Sequence, residues 1–354
     1  MPTAPAPIMS DVPPTTIAWL VAEENPAVAA LVRRDLLGEA PSAGLDALWA
    51  RRNEYAPVAE VLGRMNADGS WAPPPRDYQK YWGSLWQIHF LGELYTSGNC
   101  HRVQRAGEYA FSRQRGDGSW SINGRGDGSI PCLTANVGRA LARLGWASDE
   151  RVRAALAYNV HVYRDLGIVG CRGVVGYNLN GYCHMLAPKT LLFLAEVPRD
   201  LWPDGAEDLR DACIAALRDR SVFRHFPAGV KEFQEQLMAV PPKERVAFRE
   251  RYIEEHGLEY GPKPGWLRFG YPLTYNSDAL EALASLMAIG EPMREEYAEA
   301  LGVVGEAADA QMRWTMKNSF NGKMLADVEV KGEPSKWLTL RALLVLKHFG
   351  QDAA

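Results

Sequence analysis

Four residues have the types and placement of a reactive centre. Cys132 follows Ser129-Ile-Pro131, Cys171 lies in the glycine-rich run Val169-Gly-Cys171-Arg-Gly173, and the adjacent pair Cys183 and His184 follows Asn180-Gly181-Tyr182. Three thiolates and one imidazole are a familiar zinc set, and thiolates are stabilised by a metal or at a helix N-terminus. Such a centre would polarise a substrate oxygen or activate a thiol or water. The spacing is not that of a zinc finger, since Cys171 and Cys183 are twelve residues apart. The same residues also suit a polar site without metal, or simple packing, because cysteine is among the most buried residue types. All three readings stay open on the residues alone. Cys100 and Cys213 fall in polar segments and read as inert. Five cysteines in a chain with no export features do not suggest a disulfide framework.

A second set of residues could move protons or hold a substrate. Asp278 follows Tyr275-Asn276-Ser277 at the start of an apolar run, where an acid caps a helix and meets its dipole. If it instead faces a cavity it is the candidate general base, with Tyr275 or His184 as the acid. Lys189 sits in an otherwise apolar segment, placed either to pair with an acid or to hold an anionic group. Trp82 and Trp86 are four apart on one run, and Trp337 follows Lys336 at the start of another. Together with Asn136 and Trp266 they are candidate walls for a flat, apolar or cationic ligand.

The elements that must position these residues are helices. Apolar runs recur at roughly 45-residue intervals, closed by Gly, Asp or Pro, and no segment alternates with period two. Trp82 to Tyr95, Leu133 to Leu144, Met185 to Val197, Ala279 to Ile289 and Trp337 to Phe349 are apolar around most of their circumference, as in helices buried on both sides. Between them, Val103 to Arg113, Asp149 to Arg164, Ala206 to Arg220 and Met293 to Met312 carry their charges mostly on one face and read as an outer layer. The expected class is all-α, in one domain over 17–354, with a flexible Pro/Ala/Thr-rich arm over 1–16. A polar insertion at about 221–263 has acid and base three or four apart, as in a helix, and has the length of a lid. A net charge of -4 without a basic stripe argues against nucleic acid as a partner. No apolar stretch reaches the length of a membrane span, and no signal peptide is evident, so a cytoplasmic location is expected.

The run Arg105-Ala-Gly-Glu-Tyr-Ala-Phe-Ser-Arg-Gln114-Arg-Gly-Asp117-Gly118-Ser-Trp120 resembles the QW motif of the squalene-hopene cyclases, relatives of the protein prenyltransferase β subunits. Weaker copies lie at Asn66-Ala-Asp68-Gly69-Ser70-Trp71 and Ala310-Gln311-Met312-Arg313-Trp314. The chain from about Trp19 onward is similar to short bacterial prenyltransferase or squalene-oxidase repeat proteins, through Pro131-Cys132-Leu133, Cys183-His184-Met185, Pro264-Gly-Trp266-Leu-Arg-Phe-Gly-Tyr-Pro272, Asn318-Ser-Phe-Asn321-Gly322-Lys323 and Pro334-Ser-Lys336-Trp337-Leu338-Thr339. The resemblance implies a single α/α toroid, an inner and an outer ring of helices around a central cavity. In that family the Gln caps an outer helix and the Trp stacks on it. The sequence lacks the Asp-x-Asp-Asp motif with which those cyclases protonate polyenes, and an Asp-Asp-x-x-Asp cluster for magnesium and diphosphate. Its Cys and His residues do not follow the ligand order of the prenyltransferase zinc site.

In a toroid all inner helices run the same way, so Cys132, Cys171, Cys183 and His184 are expected at one rim. The expectation is an enzyme acting on a hydrophobic or aromatic small molecule in the central cavity, with a Cys/His rim site and zinc as candidate cofactor. Asp278, Tyr275 and His184 would be catalytic in a lyase, isomerase or transferase step. The alternatives are a metal-free, terpene-cyclase-like isomerase and a non-catalytic ligand-binding or partner subunit.

Overall fold

A computed structural model describes residues 12–171, 179–226, 231–241 and 244–351. The described chain is predominantly helical, and its only sheet pairs two dipeptides, β1 (Arg224–His225) and β2 (Gly261–Pro262). The helices are α1 (Pro14–Leu20), α2 (Pro26–Leu31, continued by a π turn to Leu36), α3 (Ala43–Arg51), α4 (Ala56–Gly63), α5 (Ser84–Glu93), α6 (His101–Ser112), α7 (Pro131–Leu141, continued by a π turn to Trp146) and α8 (Glu150–Leu166). They continue with α9 (Leu186–Glu196), α10 (Ala206–Arg218), α11 (Lys231–Ala239), α12 (Arg245–Glu255), α13 (Ala279–Ala288), α14 (Ala298–Glu306) and α15 (Lys336–Gln351). Their starts follow local chemistry. Asn25, Ser42, Asp149 and Asp278 each accept a backbone N–H of the following first turn. Proline, which has no N–H to lose, opens α1, α2 and α7.

The five apolar runs are the buried helices α5, α7, α9, α13 and α15; every residue of α5 is buried. Each packs on the next in that order, and α15 packs on α2 and its π turn. They run in one direction. Lys189 near the start of α9 meets Glu281 near the start of α13 at 2.7 Å, and Arg143 just past α7 meets Glu196 at the end of α9. His348 near the end of α15 bonds the Glu291 carbonyl past α13 at 2.9 Å, and Lys347 bonds the Leu36 carbonyl at 2.9 Å. The more polar α6, α8, α10 and α14 pack on α5, α7, α9 and α13 respectively.

The expected arm is shorter than 1–16. Residues 1–11 lie outside the described residues, but Pro14 opens α1, Thr16 is fully buried, and its hydroxyl donates to the Gln311 carbonyl at 2.5 Å. Thr16 is thereby tied to the far end of the sequence.

The Trp turns recur as one hydrogen-bonded unit. The Nε1 of Trp71, Trp120 and Trp314 donates to the carbonyls of Val61, Ala110 and Val304, ten residues earlier, at 2.7, 2.8 and 2.7 Å. Their backbone N–H groups donate to Ser84, Thr134 and Thr339 hydroxyls in the first turn of α5, α7 and α15. Each unit therefore closes one helix, α4, α6 or α14, and fastens the next buried one. The indole, not the Gln, reaches the helix-end carbonyl. Gln114 instead donates 2.8 Å bonds to the Gly118 and Arg151 carbonyls, tying its turn to α8. The turns superpose in register as Asn66–Ser70, Arg115–Ser119 and Asp309–Arg313, which puts Met312 (φ 55°) at the place of Gly69 and Gly118, and Gln311 inside the turn rather than before it.

The insertion is a helical hairpin, α11 and α12, with a separate small core of Leu179, Phe226, Phe233, Leu237 and Tyr252. It is held to the segment before α9, where Asn180 and the Phe226 backbone exchange hydrogen bonds and Arg249 lies against Gly181. Residues 227–230 and 242–243 of the stretch lie outside the described residues.

Between the buried helices runs the segment before α13. The Tyr271 hydroxyl donates to the Glu93 carbonyl, the Leu273 carbonyl meets His89 Nε2 at 2.7 Å, and the Thr274 carbonyl accepts from Asn136 at 3.0 Å. The Trp337 ring lies between Tyr271 and Tyr95, at 4.8 and 6.1 Å between centroids. Lys189 and Glu281 are both fully buried and bond at 2.7 Å through both carboxylate oxygens. Breaking a buried ion pair from one side leaves an uncompensated charge. Lys189→Met should therefore cost about 3 kcal/mol or more, and adding Glu281→Leu should recover most of it, as read by urea denaturation. If the double variant is no more stable than the single one, the pair is not coupled in this way.

Candidate functional site

The starts of the buried helices carry the polar residues that the sequence singles out. Cys132 is the second residue of α7, Cys183 and His184 precede α9, and Tyr275 precedes α13. They share one end of the molecule. The Cys132 thiol is raised to about 12, first by burial and then by Cys183 and Cys171; burial, with a smaller push from Cys171, raises the Cys183 thiol to about 11. The three thiols are thus electrostatic neighbours, and all five cysteines are free. Zinc bound by this set would need at least three ligands around one point, with Zn–S bonds of about 2.3 Å. Among the described residues no group of three or more His, Cys, Asp or Glu side chains is so arranged. His184 Nε2 faces Lys263 Nζ instead. As placed, these residues do not form a ligand set.

On one side of the thiols lies a Lys–His group. His184 stands edge-on to Trp266 and Tyr182, at 5.6 and 6.2 Å, with His225 at 6.0 Å. Burial, then the Lys263 ammonium and His225, push the imidazole down to about 3, so it is neutral throughout the physiological range. Burial lowers Lys263 to about 8, opposed by Cys183.

On the other side lies a Tyr–Lys group. Lys80 Nζ bonds the Tyr275 hydroxyl and sits 4.1 Å above its ring, and Tyr81 also bonds that hydroxyl. Partial burial would raise the Tyr275 phenol, but the bonds from Lys80 and Tyr81 and the charges of Lys80 and Lys323 carry it below its ordinary value. Tyr78 links this group to the thiols: after burial, Cys132 and Tyr275 are its perturbing neighbours. Trp86 is buried beneath, its Nε1 donating to the Tyr78 carbonyl at 3.0 Å and its ring 6.3 Å from that of Tyr275. Trp82, two residues before α5, is half-buried.

Other expected site residues are engaged internally. Asp278 is buried and uses both carboxylate oxygens on backbone N–H groups, Oδ1 on Glu281 at 2.7 Å and Oδ2 on Gly270 at 3.0 Å; burial and then Glu281 raise it to about 7. Lys189 is held by Glu281, Asn136 by the Thr274 carbonyl, and Trp337 by its stacking partners. Two clefts border this end. One, of about 510 Å³, is lined by Asp77, Tyr78, Leu85, Arg113 and Ser121; the other, of about 620 Å³, is lined by Ser129, Pro131, Tyr158, His161 and Cys171.

Lys80, Tyr78, Tyr81, Lys263 and His225 are missing from the sequence-based site. Lone lysines read as surface. A signal does exist for Lys263, which stands between two prolines in Gly261-Pro262-Lys263-Pro264-Gly265-Trp266, a rigid mount for a flexible side chain.

No helix among the described residues is long and apolar enough to cross a membrane. No protein-family model matches the sequence, and no curated protein does. Among solved structures the chain is similar to a protein from Actinoplanes, with 16% identity over 86% of this chain and 99% of that one and a TM-score of 0.33, a likeness that carries no argument about fold or activity.

Proposed function

We propose that the chain is a single α/α toroid whose inner ring is α2, α5, α7, α9, α13 and α15, and that it is an enzyme moving a proton on a hydrophobic or aromatic small molecule at the rim where those helices begin. The observation that carries the reading is the Lys80–Tyr275–Tyr81 group. A phenol that accepts from an ammonium and a second phenol, with a further lysine near, is poised to release its proton and act as a base; protonated again, it is an acid. The same cations stabilise negative charge developing on a substrate oxygen. This chemistry is that of an isomerase or lyase step. The buried Trp86 and the half-buried Trp82 supply an aromatic floor, and the segment around Tyr271, bonded to α5 and α7 between the helices, supports a substrate seat at the rim rather than deep inside.

The tyrosinate absorbance of the protein, titrated with pH, tests this. One of the 14 tyrosines should ionise below the others, and that early step should vanish in both Tyr275→Phe and Lys80→Met. An unchanged curve in Tyr275→Phe would remove the base from the proposal.

A further inference from the structure

We propose that the cleft of about 510 Å³ at the end of α6 binds a small oxyanion with an apolar body, a carboxylate or a phosphate ester, through Arg113, Arg115 and Tyr78. The two arginines follow α6 and stand on a fixed turn. Gln114 between them holds the Gly118 and Arg151 carbonyls, and the Arg115 N–H donates to the Ser119 carbonyl at 2.9 Å. Asp77 is the one carboxylate among the described lining residues, and its charge is already taken. It is buried, its Oδ2 accepts from Arg113 Nε at 2.7 Å, and its Oδ1 accepts from the Tyr109 hydroxyl at 2.6 Å. Arg115 forms no ion pair among the described residues; its Nη1 donates to the Gly124 carbonyl at 3.2 Å, and its buried Nε has no partner. The lining therefore carries one positive charge in excess.

Donors are free to meet that anion. Among the described residues the Nη groups of Arg113 and the Tyr78 hydroxyl make no hydrogen bond. A guanidinium presents paired N–H donors that match a carboxylate or phosphate, and it stays charged at any working pH. The walls set the rest of the ligand: Leu85 and Ile122 are apolar, and a cleft of this volume holds a ring or short chain besides the head group. The neighbouring cleft of about 620 Å³, lined by Asp117, Asp127 and Asp165, has the opposite charge, which sorts an anion to the arginine side. None of the three binding residues belongs to the Lys80–Tyr275–Tyr81 group, so the site does not rest on that reading.

The test is arginine labelling of the whole protein with phenylglyoxal at constant ionic strength, read by peptide mapping, with benzoate and phenyl phosphate as protecting ligands and neutral benzamide as the control. A ligand with a dissociation constant of about 1 mM, added at about 10 mM, should slow labelling at Arg113 and Arg115 about tenfold, since only unoccupied protein reacts. The exposed Arg199 should keep its rate. Protection by benzoate, by phenyl phosphate or by both supports the site and tells which head group it takes. Protection by neither, equal slowing at Arg199, or protection by benzamide as strong as by benzoate would overturn the proposal, and none of these comparisons needs a variant. Arg115→Met should abolish the protection at Arg113; protection that persists unchanged would overturn the proposal as well.

Discussion

Gly118→Ala should cost the protein about 3 kcal/mol, visible as a lower urea midpoint with an unchanged slope. Gly118 has φ 86°, a region that side chains disfavour, and a Cβ there would overlap the carbonyl oxygen of Ala154 in α8. Relief would push α8 off the turn that Gln114 binds, and α8 covers α7. Gly69 repeats the situation against the Arg105 carbonyl of α6. Met312 is the control. It occupies the same place in the third turn with φ 55°, so Met312→Gly should stabilise by about 0.5 kcal/mol, the relieved strain exceeding the added freedom of the unfolded chain. If Met312→Gly destabilises as much as Gly118→Ala, the three turns are not equivalent.

Glu93→Gln should be at least as damaging, about 3 to 5 kcal/mol, because it removes the buried carboxylate shared by three arginines and leaves only the less buried Glu196 against Arg139 and Arg143. Glu93 is 2% exposed and faces Arg139, Arg143 and Arg341. Burial alone would raise its carboxyl, but Arg139 and Arg143, then His89 and Arg341, hold it well below the ordinary range. A carboxyl depressed on folding contributes stability that is fully present above its unfolded value of about 4.3 and is lost as pH falls toward the folded value. The wild type should therefore lose stability on acidification below about pH 5. Glu93→Gln should show a shallower loss over the same range, measured by urea midpoints between neutral and acid pH. A parallel pair of curves would show that Glu93 is not the group responsible.

The helical class and the five buried helices were legible because burial on all sides leaves an apolar run with few interruptions. The first four helices were not. α2 is only Pro26–Leu31, wholly buried and too short to show a helical period, so that an Asn cap and a first-turn proline are its only signals. The Trp turns were legible as a motif but not in detail: Gln311 looked equivalent to Gln114, and only the turn register shows that Met312 aligns with Gly118. At the candidate site the helix-start positions led to Cys132, Cys183 and Tyr275. Lys80 was out of reach, since what distinguishes it is a partner 195 residues away rather than a local pattern, and for Lys263 the flanking prolines mark the backbone but not its partner 79 residues away. Lys189 and Asp278 stand out in the sequence as polar residues in apolar surroundings, and the structure gives them internal partners that one sequence cannot name.

The segment around Tyr271 also bears on the order in which this molecule can be made. His89 and Glu93 take partners 184 and 178 residues later, and Lys336 binds the Ala22 carbonyl and Glu24 at the start. During synthesis α5 and α7 emerge early, with His89, Asn136 and the Glu93 carbonyl still lacking the partners that the chain at residues 271–274 brings. Helices whose partners are not yet made must wait as loosely packed hairpins, and contacts closing over such long separations form slowly. Emergence of α15 brings Trp337 against Tyr271 and Lys347 against the end of the π turn that follows α2. The nascent chain is thus exposed to misassociation until α15 has emerged and packed.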